Sequence, residues 1–319
     1  MSKNKGKSAK MELDKQEEII NKKIEDALSR FKELRKSEVF PLFLSRAEII
    51  EQTVDDVFDE LRKRYKSKPL PQKDRLDVIL ESGGGSIDSA YNIALLLRRY
   101  ATNELNIIVP RWAKSAATVI ACAGDKVEMT PIAELGPVDP QITMLNPLEK
   151  RLEAFSPLDI DSTLQLIRDE FKAGHTELAQ GLLERLQFPL TLGGIKKSLE
   201  VGVHYIERLL SSRMFKDDPS RSKKIAYDLV HNYSTHAFCI DCDEAMAIGI
   251  KAIMLPDDQV DCVWEIRKLV MEKDQIDRKR EEGAIAELLK DLPPEILKQL
   301  RDSSKETDTK NKQSEKETI

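Results

Sequence analysis

The sequence predicts an α/β domain with parallel strands, on three observations. Apolar runs of strand length alternate with segments of helical period between residues 76 and 130. Glycines or small residues stand where strand gives way to helix, at Gly83-Gly84-Gly85 and around Ser115. The resulting order of strand, helix, strand, helix, strand calls for parallel pairing through right-handed crossovers.

Residues 1 to about 12 are polar and lysine-rich, which predicts disorder. Over 13–36, Leu13, Ile19, Ile20, Ile24, Leu28, Phe31 and Leu34 recur at helical spacing among charges, predicting an exposed or partner-binding helix. Residues 39–44 read as a short strand. A helix is expected over 45–65, with Ile49, Ile50, Val54, Val57, Phe58 and Leu61 on one face. Ser45 and Glu48 have the capping-box spacing at its start. A polar, proline-bearing loop fills 66–74. Residues 76–80 form a buried strand by length and β-branched content. They are followed by a helix over 86–100, a strand over 105–110, a helix over 115–122 and a strand over 126–130. Residues 147–234 read as almost wholly helical, broken at Gly174, Pro189, Gly193-Gly194 and Pro219. A short helix over 241–250 and a strand over 252–255 close the domain. Past 265 the pattern is charged and helical, and after Leu300 it becomes a solvated tail. There is no internal repeat.

The chain has 319 residues and a net charge of −5, with 51 basic and 56 acidic side chains. This mixed, mildly acidic balance argues against a nucleic-acid partner, which would select a basic face. The N-terminus has no apolar stretch of a secretory signal, and no run reaches the ~18 apolar residues of a membrane span. A cytoplasmic protein without a membrane span is therefore expected. The cysteines are Cys122, Cys239, Cys242 and Cys262; Cys239 and Cys242 form one C-x-x-C after His236. No second pair completes a zinc ligand set, so ordinary thiols and no metal are expected.

Two segments carry chemistry. Gly83-Gly84-Gly85 directly follows a strand, where glycine permits positive φ and close backbone approach. No Gly-Lys-Ser/Thr follows it, and it lacks the G-x-G-x-x-G spacing, so it binds neither a nucleotide phosphate nor a dinucleotide by those fingerprints. Ser115 opens a helix among small residues. Its hydroxyl either caps that helix or serves as a nucleophile, with Ala116 and Ala117 leaving room for substrate. Residues 135–141, Leu-Gly-Pro-Val-Asp-Pro-Gln, form a third turn.

Together these segments resemble the serine dehydrogenase proteinase family. That family lies in the crotonase-like superfamily, beside Clp proteolytic subunits and signal peptide peptidases. The resemblance is specific over 76–100 and 112–141 and extends from about Val39 to Leu255. The late run 234–250, with His236 and Glu244-Ala245, is similar to the group's closing element. The resemblance implies a crotonase-like core of repeated ββα units over 39–265, with a mostly helical insertion at about 147–234. A helical extension over 1–38 and a charged tail over 266–319 would flank it. It further implies Ser115 as nucleophile and the N–H groups of Gly84 or Gly85 and of Ala116 as the oxyanion hole. The implied activity is a serine peptidase acting on extended peptides, without cofactor, in a homo-oligomer.

The window equivalent to the one where Clp subunits carry their histidine base, Glu134 to Ile142, has no histidine. His236 is the first candidate base, near where the group's third catalytic residue enters. Asp139 could orient a base or be a turn aspartate, and Lys150 is the alternative base. Lys114 is expected to point elsewhere, and His175, His204 and His231 to be incidental. A catalytically weak peptide-binding or assembly protein is the alternative function, and acyl-CoA chemistry on the same fold a third.

Overall fold

A computed structural model describes residues 2–44, 47–65, 75–101, 103–139, 142–146, 151–185, 192–290 and 296. The chain forms two compact units, one of Ala27–Arg267, the other of Met1–Asp26 and Lys268–Ile319. In chain order the elements are α1 (Ser2–Arg35), β1 (Glu38–Leu44), α2 (Glu51–Tyr65), β2 (Arg75–Ser82), α3 (Ile87–Tyr100), β3 (Glu104–Val109), β4 (Trp112–Ala113) and α4 (Ala116–Ala121). There follow β5 (Lys126–Met129), β6 (Glu134–Leu135), β7 (Ile142–Asn146), β8 (Arg151–Phe155), α5 (Pro157–Lys172), α6 (Thr176–Arg185), α7 (Leu192–Ser212) and α8 (Pro219–His231). The last are α9 (Cys242–Ala247), β9 (Ala252–Met254) and α10 (Asp257–Lys290).

The expected α/β class holds. Seven strands form one sheet in the order β6-β4-β2-β3-β5-β9, with β1 also on β2, and every pairing is parallel. β2 is its centre. Its first residues pair with β3, Arg75↔Glu104 to Ile79↔Ile108, and its last, Ser82, pairs instead with Ala113 of β4. The chain bends at Pro110 and Arg111 between β3 and β4. β6 follows β5 in the same way and pairs with β4. β3 and β5 thus each lead into a short strand, as in a repeated ββα pattern. The short strands carry the sheet around toward residues 113–116.

The core lies where α3, α4, α7 and α8 pack with the sheet. Leu76, Val78, Leu80, Ile93, Leu97, Ile107, Ala117, Ile120, Ile206 and Leu229 are all fully buried there. The small side chains of α4 suit this burial, since a short, alanine-rich helix lets neighbouring elements approach closely.

Several expectations are corrected. α1 starts at Ser2, so the lysine-rich start is helical rather than disordered. α2 starts at Glu51, not at 45, and Thr53 Oγ1 takes the Ile50 N–H at its entry. Near the start of the stretch 147–234 read as almost wholly helical, β8 is a strand, and it pairs with β7 just before that stretch as an antiparallel hairpin from Ile142↔Phe155 to Asn146↔Arg151. Gly193 and Gly194 lie inside α7 instead of breaking it. The expected break at Pro219 holds: it opens α8 behind the Asp218 cap, where a missing N–H costs nothing. Ser45, the loop over 66–74, Lys150, Pro189 and the tail after Leu300 lie outside the described residues. Among the described residues, no helix is long and apolar enough to cross a membrane.

One face of the sheet buries charge. Asp77 and Glu128 are almost completely enclosed, and Arg35, at the end of α1, reaches both. Its Nε donates to Asp77 (2.8 Å), and its Nη1 and Nη2 donate to Glu128 (2.7 and 2.6 Å). Ser37 Oγ and Asn106 Nδ2 complete the Asp77 carboxylate at 2.6 and 2.8 Å. Burial pushes the Asp77 pKa up, but the Arg35 hydrogen bond and charge, with Ser37 and Asn106, outweigh it and hold the carboxyl below its ordinary value. A carboxylate with a lowered folded-state pKa contributes stability above its unfolded value and loses it as pH falls through the folded one. Arg35→Ala is expected to lower the unfolding free energy by about 3–5 kcal/mol, the cost of removing the enclosed cation from two buried carboxylates that keep only the more exposed Arg75 and Lys126. Denaturant titration at neutral pH measures the loss, and the gap from the parent chain should narrow in strong acid.

Candidate active site

Ser115 stands between β4 and α4 with φ 51° and ψ −123°. A non-glycine residue is strained in that region by roughly 1–3 kcal/mol. Its hydroxyl makes no capping hydrogen bond to the helix it precedes, so the N-cap explanation does not hold. Its side chain is half-buried rather than enclosed.

Two turns rest against it, and a third is paired to the second. The first is the glycine run at the end of β2. Gly84 has φ 110°, and a Cβ placed there would lie 2.8 Å from Ser115 Cβ and 2.9 Å from the Lys114 carbonyl. Only a residue without a side chain lets the strand end lie against the serine. Gly85 has φ 141°, and a Cβ there would meet Ile49 N at 2.4 Å. Ile49 donates its N–H to Gly84 O (2.8 Å) and accepts from Ser86 N–H (2.7 Å). In such a parallel bridge the N–H and C=O of the middle residue, Gly85, point to the opposite side. The Gly84 N–H is already donated to Ser82 Oγ (3.1 Å). Among the described residues, none accepts from the N–H of Gly85 or of Ala116.

The second turn is Leu135-Gly136-Pro137-Val138-Asp139. A Cβ on Gly136 would lie 3.2 Å from Ser115 N, so this turn also rests on the serine backbone. Thr118 Oγ1 fixes it, lying 2.7 Å from Ala113 O and 2.8 Å from Gly136 O while accepting the Gly136 N–H (3.2 Å).

The third is the run 233–240, which pairs with the second: Leu135 and Ile240 exchange both backbone hydrogen bonds, at 2.8 and 3.1 Å. Tyr233 stacks obliquely on Phe238 and donates to Glu244 (3.0 Å), which steadies the run. Lys114 Nζ donates to Phe238 O (3.2 Å) and Leu135 O (3.3 Å) and pairs with Glu134 (3.2 Å), so it ties these turns together.

The last two turns bring Asp139 and His236 together, with Nδ1 of the imidazole bonded to the Asp139 carboxylate. Asp139 is buried and His236 partly exposed. The Asp139 hydrogen bond raises the His236 pKa, burial and the nearby Lys114 charge lower it, and the net shift is upward. The contribution of Asp139 is what the sequence left undecided. Its signal was its place in the window where a histidine was expected. Cys239 and Cys242 are free thiols. Among the described residues, no cluster of three or more His, Cys, Asp or Glu is arranged to hold a metal ion.

The glycine turn makes a direct test. Gly85→Ala puts a methyl group into the Ile49 backbone at a positive φ, and about 3 kcal/mol of stability should be lost. Thermal unfolding measures it, and Gly83→Ala, where the added Cβ meets nothing within 4 Å, should be far milder.

Residues 16–173 match the model of the ClpP-like SDH-type serine proteinases. An uncharacterised protein of Methanocaldococcus jannaschii is 24% identical over 214 residues, covering 67% of this chain and 64% of that protein. A second from the same organism is 35% identical over 104 residues, 32% of this chain and 34% of its own length. The chain thus spans less than two thirds of the length of these curated relatives. Among solved structures, a mutant of the 1510-N membrane-bound stomatin-specific protease aligns with 69% of this chain and 81% of its own, at 16% identity and a TM-score of 0.43. ClpP1 from Listeria monocytogenes aligns with 72% of this chain and 98% of its own, at 14% identity and a TM-score of 0.37. The matched residues 16–173 contain the glycine turn, Ser115 and Asp139, and over that segment the chain is similar to the ClpP-like SDH-type serine proteinases.

Proposed function

We propose that the protein hydrolyses peptide bonds, with Ser115 as nucleophile, His236 as general base and Asp139 as the residue that orients it. The observation that carries this reading is the His236–Asp139 pair, built on a turn that rests against a strained, uncapped serine. A carboxylate on Nδ1 fixes the imidazole tautomer that leaves Nε2 as proton acceptor, and it stabilises the imidazolium once formed. In the proposed sequence the Ser115 hydroxyl attacks the substrate carbonyl and passes its proton to His236. The same proton then goes to the leaving amine, and water releases the acyl group by the reverse exchange.

Gly85 and Ala116 are the proposed oxyanion donors, since the Gly84 N–H is engaged by Ser82. In this reading Gly84 provides clearance rather than a hydrogen bond. The outward C=O of Gly85 is left to accept an N–H from an extended peptide laid along the turn. Lys150, the alternative base, lies outside the described residues. We further infer a cytoplasmic homo-oligomer. Exposed Leu166, Phe171, Leu178 and Leu183 on α5 and α6 favour association.

An active-site-directed fluorophosphonate should label the protein, and Ser115→Ala should abolish labelling while circular dichroism stays unchanged. Labelling that persists in the variant removes Ser115 as nucleophile. A folded parent chain that binds peptide but never labels would favour the peptide-binding alternative.

The rate should also depend on pH in a defined direction. The base must be neutral, and Asp139 raises the His236 pKa above its ordinary 6.5. Activity should therefore fall as pH drops through a midpoint above 6.5. Asp139→Asn should move that midpoint down and cut the rate by on the order of 10²–10⁴. A pH–rate profile unchanged in Asp139→Asn would contradict the assignment.

A further inference from the structure

The join between the glycine turn and the nucleophile is slight. β4 has only two residues and meets β2 at one pair, Ser82↔Ala113, with Lys114 N–H donated to Ser82 O at 3.0 Å. Such a short pairing has little stability of its own. Behind it lies a cluster that the catalytic reading does not use. Glu81, next to Ser82, is fully buried, and strand alternation sends its side chain to the opposite face from Ser82. Arg267 of α10 grips it with two prongs, Nε at 2.7 Å and Nη2 at 2.9 Å. The same guanidinium lies 5.3 Å from the ring centre of Trp112 and 4.9 Å from that of Trp264. Trp112 is the first residue of β4, and Arg111 covers it as well at 5.4 Å.

One arginine therefore holds the ends of both strands that carry the site: β2 through Glu81 and β4 through Trp112. We propose that Arg267 is a positioning residue for the Ser115 site, keeping the glycine turn and the nucleophile at working distance. This inference rests on the hydrolase reading for its catalytic consequence, although the clamp itself does not. The combination is specific to arginine. A lysine offers a point charge and neither the planar fork for the carboxylate nor the flat face for two indoles.

The sequence has only two tryptophans, and both touch this guanidinium, so tryptophan emission reports on the clamp alone. The test uses the full chain, with Ser115→Ala, Arg267→Ala and Arg267→Lys. Fluorophosphonate labelling is measured against reagent concentration, with hydrogen exchange over 82–86 and 113–118 and tryptophan emission. Arg267→Ala should shift the emission, raise exchange in both segments, and lower the limiting labelling rate by up to ~100-fold, the scale of an ångström-level misplacement. The half-saturating concentration should change little. Added methylguanidinium should restore part of the rate, and Arg267→Lys should remain slow. A folded Arg267→Ala with parent-like labelling and exchange overturns the proposal. If Arg267→Ala does not fold, Arg267→Lys decides by the same criteria. If the parent chain does not label, the hydrolase reading fails, and exchange in the two segments still decides whether Arg267 holds the strands.

Discussion

The pairing of Ser82 with Ala113 is the constraint on which the site depends. It is where the central strand leaves β3 and takes up β4, so it fixes how near the glycine turn comes to Ser115. At that distance Gly84 has no room for a Cβ, because the Ser115 Cβ and Lys114 carbonyl already occupy the space. Ser115 in turn adopts a backbone conformation that a free chain would avoid. The glycine and the strained serine are two consequences of one close approach. The surrounding bonds of Ile49, Thr118 and Lys114 hold it in place.

The two faces of the sheet divide the labour. Val78, Leu80 and their neighbours contribute apolar burial and the bulk of the packing. The alternate positions of β2 carry Asp77 and Glu81, which sit in the interior because each is met by an arginine, Asp77 by the Nε of Arg35 and Glu81 by the fork of Arg267. Such pairs add little net stability over well-packed apolar side chains, but removing one member is costly. Their effect is to attach the last turn of α1, at Arg35, and the first turns of α10, up to Arg267, to particular points of the sheet. Apolar contacts alone, which are non-directional, would specify those points less sharply.

The histidine and the aspartate are drawn from different parts of the chain. Asp139 comes from the turn after β6, His236 from the run after α8. Between them in sequence lie the β7–β8 hairpin and helices α5 to α8. They meet because Leu135 and Ile240 pair and because Val138 N–H is donated to Leu229 O at 2.9 Å. Side-chain roles in hydrolytic sites follow geometry and not chain order. The Asp139–His236 pair, brought together across the chain, is therefore compatible with the proposed chemistry.

Local pattern alone made the main strands, α3, α4 and the glycine turn legible, because apolar period and the absence of a Cβ act over neighbouring residues. It also marked Ser115, from its small neighbours, as a candidate nucleophile, whereas the proposal of His236 as base came from the family resemblance and not from local pattern. The strands β4 and β6 were not legible, since two-residue strands have no period to read and exist only where the sheet turns. The β7–β8 hairpin was hidden for a related reason: five-residue strands are too short for the apolar period to separate strand from helix. Whether Ser115 capped its helix or stood uncapped was decided by its φ, which the fold imposes. Whether Asp139 was a turn residue or a partner for His236 was decided by a contact across 97 positions of sequence. The sequence by itself determined which segments could be strand, helix or turn, because those choices are local. Only the tertiary structure decided which polar groups share a site, because that depends on sheet register and on turns packing against one another.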